Sequence, residues 1–294
     1  MKFGDYQREA LKTDQVPYRS DTDKELTKKV VPLLGLAGEA GELLSEYKKF
    51  LRDGEGHKLF GERVEEELGD LLWYIANVAS KFDLNLDEIA QKNLEKVRDR
   101  WGDLVCSIKN FDENFSNQQS FPRRFEVELR KEVQGGQDKV QPYLNGEKIG
   151  DGLTDNYPED DGYRFHDTFH FAYVAVLGWS PVIRALMKRK RKDDKQYDEV
   201  EDGGRATVID EAIVALVFNY ARGHNFFKET STVDSQLLKT IKSMTSHLEV
   251  KERTTGDWEK AIIAGFSVWR QVVENSGGKM FVDMDNREIR FLSS

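Results

Sequence analysis

The 294-residue chain is long enough for one large domain or two, and 38% hydrophobic residues with 5 Trp, 10 Tyr and 17 Phe can fill an interior, which excludes wholesale disorder and fibrous repeats. Its 44 Lys and Arg stand against 53 Asp and Glu, and the formal net charge of −9 argues against a chain that clamps nucleic acid by charge. The lone Cys106 excludes an intramolecular disulfide and a Cys-based zinc site within one chain, while the opening MKFGDYQREALKTDQ lacks the apolar run of a signal peptide and no stretch could span a bilayer, so a soluble chain in the reducing cytoplasm is expected.

Residues 24 to 52 read as a long helix, interrupted early by Pro32 and carrying Gly35, Gly38 and Gly41. Glycine weakens a helix by about 1 kcal/mol relative to alanine, so close approach of another helix is the expected reason for three of them. DGEGHKLFG (53 to 61) is a turn-rich break. A second helix follows from Glu62, with an apolar stripe at Val64, Leu68, Leu71, Leu72, Ile75 and Val78. A third begins at Asp87 as N-cap and stops at Gly102.

The polar stretch 109 to 124 reads as a linker between a helical domain, 1 to 108, and a second domain, 125 to 294. FEVELRKEV (125 to 133) alternates with period 2 as a strand does. Loops rich in Gly, Asn and Asp follow, with a short hairpin at Asn145-Gly146. Helices are predicted over about 163 to 191, 206 to 227, 232 to 249 and 257 to 274. The end, KMFVDMDNREIRFL, reads as a hairpin turning at Asp285-Asn286 that could pair with FEVELRKE. The expected fold class is mainly α: an all-helical N-terminal bundle, then a helical domain with a small antiparallel sheet. A faint echo aligns ELGDLLWYIANVA (67 to 79) with IDEAIVALVFNYA (209 to 221), setting Asn77 on Asn219 but losing both acids.

Glu39 and Glu42 are three apart on one helix, and Glu67 and Asp70 three apart on the next. Positions i and i+3 share a helix face, so two packed helices can turn both pairs toward each other. Four such acids repel and raise their own pKa values unless a cation separates them. Hard oxygen ligands favour Mg²⁺ or Mn²⁺, ions that commonly take substrate phosphates into their remaining positions. Solvated surface acids are the alternative. Asn93, Lys96 and Arg100 lie at i, i+3 and i+7 on the third helix, an amide and two cations suited to a polyphosphate or else ordinary helix surface.

GLAGEAGELLSEYKK, then EEELGDLLWYIANVA, then NLEKVRDRWG together resemble the MazG family of all-α nucleoside triphosphate pyrophosphohydrolases, whose ExxE and ExxD signature is matched by Glu39, Glu42, Glu67 and Asp70, and whose later Asn and Lys are matched by Asn93 and Lys96. The opening FGDYQREALKT resembles the start of short phage and bacterial members, so the likeness covers about residues 1 to 104. The resemblance implies a bundle that assembles as a homodimer or homotetramer, holds Mg²⁺ through the four acids, and hydrolyses an NTP or dNTP to monophosphate and pyrophosphate. Lys96 would then stabilise the leaving pyrophosphate and Asn93 contact phosphate or sugar. Arg100, Lys48 and Lys49 are further candidates for the outer phosphates, while Trp73 and Asn77 could approach the base.

The second domain resembles no family recognisably. His166 and His170 lie one helical turn apart beside Asp167, and Asp210-Glu211 opens a later helix. Such a set could bind a transition metal. A hydrogen-bonded core network is favoured, because Phe165, Phe169, Phe171 and Tyr173 surround it. Five cations, Lys188 to Lys192, read as a solvated helix end. Neither Gly135-Gly136 nor Gly203-Gly204 leads into a P-loop. The competing functional class is a nucleotide sensor in phage defence or stress control, whose second domain signals to a protein partner.

Overall fold

The computed structural model describes residues 1–15, 24–101 and 109–293, so the expected stop at Gly102, and Cys106, lie outside the described residues. The chain divides into two compact units, Met1–Val97 and Arg98–Ser294. Among the described residues no helix is long and apolar enough to cross a membrane.

Unit 1 is helical, built from α1 (Phe3–Lys12), α2 (Lys24–Asp53), α3 (Phe60–Lys81) and most of α4 (Leu86–Trp101). The expected interruption at Pro32 does not occur: its ring withdraws one N–H from the ladder, yet α2 continues through it. α2 and α1 both pack on α3. A Cβ on Gly35 would stand 2.1 Å from Tyr74 Cε1, so close approach accounts for this glycine, whereas Gly38 and Gly41 meet nothing within 4 Å. α4 starts one residue before the predicted cap, because Asn85 Oδ1 accepts the Glu88 N–H at 3.2 Å. Asp87 serves α1 instead, its Oδ2 accepting the Gly4 N–H at 3.1 Å.

The core of unit 1 is small: Ala10, Ala76, Ala79 and Leu86 are buried, with Tyr6 and Trp73 packed against them. The predicted stripe on α3 is only partly covered, since Leu68 and Ile75 remain exposed beside Leu33, Leu34, Leu44 and Leu51 of α2.

Unit 2 combines helices with a five-stranded antiparallel sheet in the order β3-β2-β1-β4-β5. Its strands are β1 (Arg124–Gln134), β2 (Gln137–Leu144), β3 (Glu147–Lys148), β4 (Gly278–Asp283) and β5 (Glu288–Leu292). As the sequence suggests, the C-terminal hairpin pairs with β1, setting Arg124 opposite Asp283 and Leu129 opposite Gly278. β2 lies where loops are predicted. Gly135 and Gly136 take φ of 62° and 80°, the tight turn that folds β2 back on β1. Asn145 and Gly146 make the next turn, into β3.

The core of unit 2 forms around α5 (Asp167–Leu177), every residue of which is buried. α9 (Thr255–Glu274) packs along α5, and both helices contact β5. The helix predicted over 163 to 191 is broken: Gly178 takes φ of 68° at the end of α5, and Ser180 then caps α6 (Pro181–Leu186). α7 (Gly204–Arg222) and α8 (Ser235–Met244) complete the helical part.

Residues 110 to 123 are held within unit 2 rather than free as a linker. Asp112, 1% exposed, accepts the Phe121 N–H at 2.8 Å and pairs with Arg184 at 3.0 Å and Arg123 at 2.7 Å. The basic run is likewise more than a solvated helix end. Arg191 is fully buried and donates to Asp202 and Glu249, each at 2.7 Å, while Arg189 Nη1 donates to Ser120 O at 2.7 Å. Removing one partner of a buried pair strands the other charge. We predict that Asp202→Ala lowers unfolding free energy by about 3–5 kcal/mol in chemical denaturation. A loss below about 1 kcal/mol would mean that Glu249 alone satisfies Arg191.

Candidate active site

α2 supplies Glu39 and Glu42, and α3 supplies Glu67 and Asp70. The i, i+3 spacing places each pair on one face, and the packing of α2 on α3 brings the faces together. One carboxylate oxygen each from Glu39, Glu67 and Asp70 lies within 4.8 Å of the other two. Glu42 falls outside that group but is close enough for its charge to act on Glu67. Partial burial raises the pKa of Glu67, and repulsion from Glu39, Glu42, Asp70 and Glu66 raises it further.

Among the described residues none of the four carboxylates forms a hydrogen bond or ion pair, whereas neighbouring Glu66 pairs with Arg63 at 2.7 Å. Converging hard oxygen donors with no ion-pair partner among the described residues form a set that fits a divalent cation of the Mg²⁺ or Mn²⁺ type. Glu39 and Glu67 are half-buried while Glu42 and Asp70 are exposed, so a bound ion would keep positions open toward solvent.

The expected phosphate ligands are placed less uniformly. Asn93 and Lys96 stand exposed on α4 and form no hydrogen bond or ion pair among the described residues. Arg100 is not available as expected: in unit 2 its Nη2 donates to Val233 O at 2.6 Å and to Glu259 Oε2 at 3.1 Å. Lys49 is also engaged, in an ion pair with Glu46, which accepts a further contact from His57 Nε2 at 2.9 Å. Glu46 is 5% exposed and was not expected to take part, although its i, i+3 spacing to Lys49 is visible in the sequence. Lys48 remains exposed.

Trp73 packs against the small core of unit 1, its Nε1 donating to Thr13 Oγ1 at 2.7 Å. Asn77 is fully buried; its Nδ2 donates to Trp73 O at 3.1 Å, and its Oδ1 has no partner among the described residues. Asn219, its counterpart in the suspected internal echo, is exposed. The two helices therefore do not use that position alike. In unit 2 the structure does bring together His166, His170 and Glu211.

Comparison with known proteins gives two family matches: residues 31–104 match the MazG nucleotide pyrophosphohydrolase domain, and residues 106–294 match the MazG C-terminal domain. The Gene 37 protein of Mycobacterium phage L5 is 42% identical over 69 residues, which are 23% of this chain and 60% of that protein. The chain thus spans less than two thirds of the length of the curated relative it matches. No solved structure matches it. Both acid pairs lie inside the first match, the second covers more than half of the chain, and the chain belongs to the MazG family.

Proposed function

We propose that this chain hydrolyses a nucleoside triphosphate, ribo or deoxy, to nucleoside monophosphate and pyrophosphate in a Mg²⁺-dependent reaction. The observation that carries this reading is the convergence of Glu39, Glu67 and Asp70 from two helices with no ion-pair partner among the described residues, inside the stretch that matches a pyrophosphohydrolase domain. Together with Glu42 these residues would hold the ion, with Mn²⁺ able to replace Mg²⁺. When bound, such an ion polarises phosphate oxygens and acidifies water.

The chain's own groups then have three tasks. The carboxylates would hold the cation, which would supply positive charge to the triphosphate. A carboxylate oxygen of the same cluster accepts a proton from the water whose oxygen attacks the α-phosphorus, and the bond from that phosphorus to the bridging oxygen of the β-phosphate breaks. Lys96, exposed and uncommitted among the described residues, can balance charge on the departing pyrophosphate, and Asn93 can donate its amide to phosphate or sugar. Arg100 and Lys49 carry less of this load because Glu259 and Glu46 already hold them.

Exposed Leu33, Leu34, Leu44, Leu51 and Leu68 on the two site helices support assembly of unit 1 as a homodimer or homotetramer. A single cysteine and the absence of a spanning helix among the described residues are compatible with a cytoplasmic location, where nucleotides are plentiful. A second reading is favoured by the extent of the C-terminal match: the nucleotide site serves as a sensor, in defence against phage or in stress, and the C-terminal domain passes its state to a protein partner.

Incubation with each NTP and dNTP in Mg²⁺, followed by separation of products, distinguishes the two. We expect monophosphate and pyrophosphate in equal amounts, complete loss of turnover on chelation, and a decrease of at least about 100-fold in Glu67→Gln, since even groups that only orient metal ligands contribute 10–100-fold. Lys49→Ala should change the rate less than about threefold, because Glu46 already neutralises that cation. Metal-dependent nucleotide binding with no turnover of any nucleotide would refute the enzyme and leave the sensor. By light scattering the protein should exceed the 33.9 kDa of one chain by twofold or more. A monodisperse monomer would contradict the assembly.

A further inference from the structure

We propose that His166, His170 and Glu211, with Asp167 beside them, form a divalent transition-metal site in the C-terminal domain, with zinc as the expected ion. The geometry begins with the helices. His166 precedes α5, Asp167 is its first residue, and His170 follows His166 by one turn, so both imidazoles face the early part of α7. Asp210 and Glu211 are consecutive on α7 and reach His170 from its two sides.

The hydrogen bonds decide which nitrogens are available. His166 Nδ1 lies 2.9 Å from Tyr163 O, and His170 Nδ1 lies 2.9 Å from Asp210 Oδ1. A carbonyl and a carboxylate accept, so in both rings Nδ1 carries a proton and Nε2 is the nitrogen left for a second proton or a metal ion. Both Nε2 atoms face carboxylate oxygens. Glu211 Oε2 lies 3.4 Å from His170 Nε2 and 3.8 Å from His166 Nε2, while Asp167 Oδ1 lies 4.0 Å from His166 Nε2. The donor atoms of His166, His170 and Glu211 lie within 4.8 Å of one another, a convergence that a proton on Nε2 or a metal ion can bridge. Tetrahedral bonds of about 2.0–2.1 Å set donor atoms about 3.4 Å apart, a spacing that these atoms approach.

The surrounding support is that of a metal site. The Asp210 contact to His170 reproduces the carboxylate, histidine, metal arrangement, and Asp210 is itself fixed by Ser180 Oγ at 2.6 Å and the Val182 N–H at 3.3 Å. Tyr163 stacks on His166 with ring centroids 4.5 Å apart. Asp167, 5% exposed, makes no hydrogen bond among the described residues and stands 4.0 Å from His166 Nε2, where its charge adds to that of Glu211. The Glu211 side chain is 45% exposed and offers an entry path. Two imidazole nitrogens select zinc and its neighbours over Mg²⁺, which separates this site chemically from the all-oxygen cluster of α2 and α3.

The competing occupant of the same space is a proton. Burial opposes charge on His170, but Asp210 and then Glu211 outweigh it and push its pKa up to about 10 when no metal is present. Metal titration of the full-length protein, stripped with chelator and held in excess Mg²⁺, separates the two. We expect one Zn²⁺ or Co²⁺ per chain at micromolar or lower concentration, with visible Co²⁺ absorption of a nitrogen-ligated ion. Glu67→Gln should leave this binding intact. Glu211→Gln, at a half-exposed position where folding is not at stake, should weaken it at least tenfold, and His166→Gln should do the same. No binding at micromolar metal, binding unchanged in Glu211→Gln, or binding lost in Glu67→Gln would each overturn the site.

Discussion

Like charges held at the interface of α2 and α3 are the constraint on which the N-terminal half depends. Three carboxylate oxygens lie within 4.8 Å of one another, a fourth acid adds to the field at Glu67, and none has a counter-ion among the described residues. The buried core opposing this repulsion consists of Ala10, Ala76, Ala79 and Leu86. So small a core is in keeping with the proposed cation between the acids and the proposed partner over the exposed leucines. Gly35 belongs to the same economy of space, because its missing side chain lets Tyr74 pass and the two acidic faces meet.

The C-terminal half treats charge differently. Several of its buried carboxylates are matched by guanidinium groups: Asp112 by Arg184 and Arg123, Asp202 by Arg191, and Asp257 by Arg287 at 2.7 Å. Asp112 with Arg184 and Asp257 with Arg287 thereby tie segments remote in sequence into one unit. Asp167 breaks the pattern. It is buried, makes no hydrogen bond among the described residues, and faces histidine rather than arginine, which supports the metal site proposed beside it.

Much of this was legible in the sequence, for identifiable reasons. The acid pairs at 39, 42, 67 and 70 repeat at helical spacing, and backbone periodicity alone puts each pair on one face. Strand β1 and the C-terminal hairpin were readable from period 2. Strand β2 was hidden because Gly-Gly and Asn-Gly turns, with Pro142 inside the strand, give the segment the composition of a loop. The break after Leu177 was hidden by apolar residues that run on either side of Gly178. Side-chain partners were least legible. Arg191 sits in a run of cations that resembles a solvated surface, and only the tertiary fold shows Asp202 and Glu249 around it. Arg100 shares a helix face with Asn93 and Lys96, yet Glu259, far along the chain, holds it.

The most direct test of the account is hydrolysis in ¹⁸O-enriched water with mass analysis of both products. Attack at the α-phosphorus places one label in the monophosphate and none in pyrophosphate, and the account predicts that outcome in Mg²⁺. Label in pyrophosphate or in free phosphate would contradict it, because the acids of α2 and α3 would then serve a different bond.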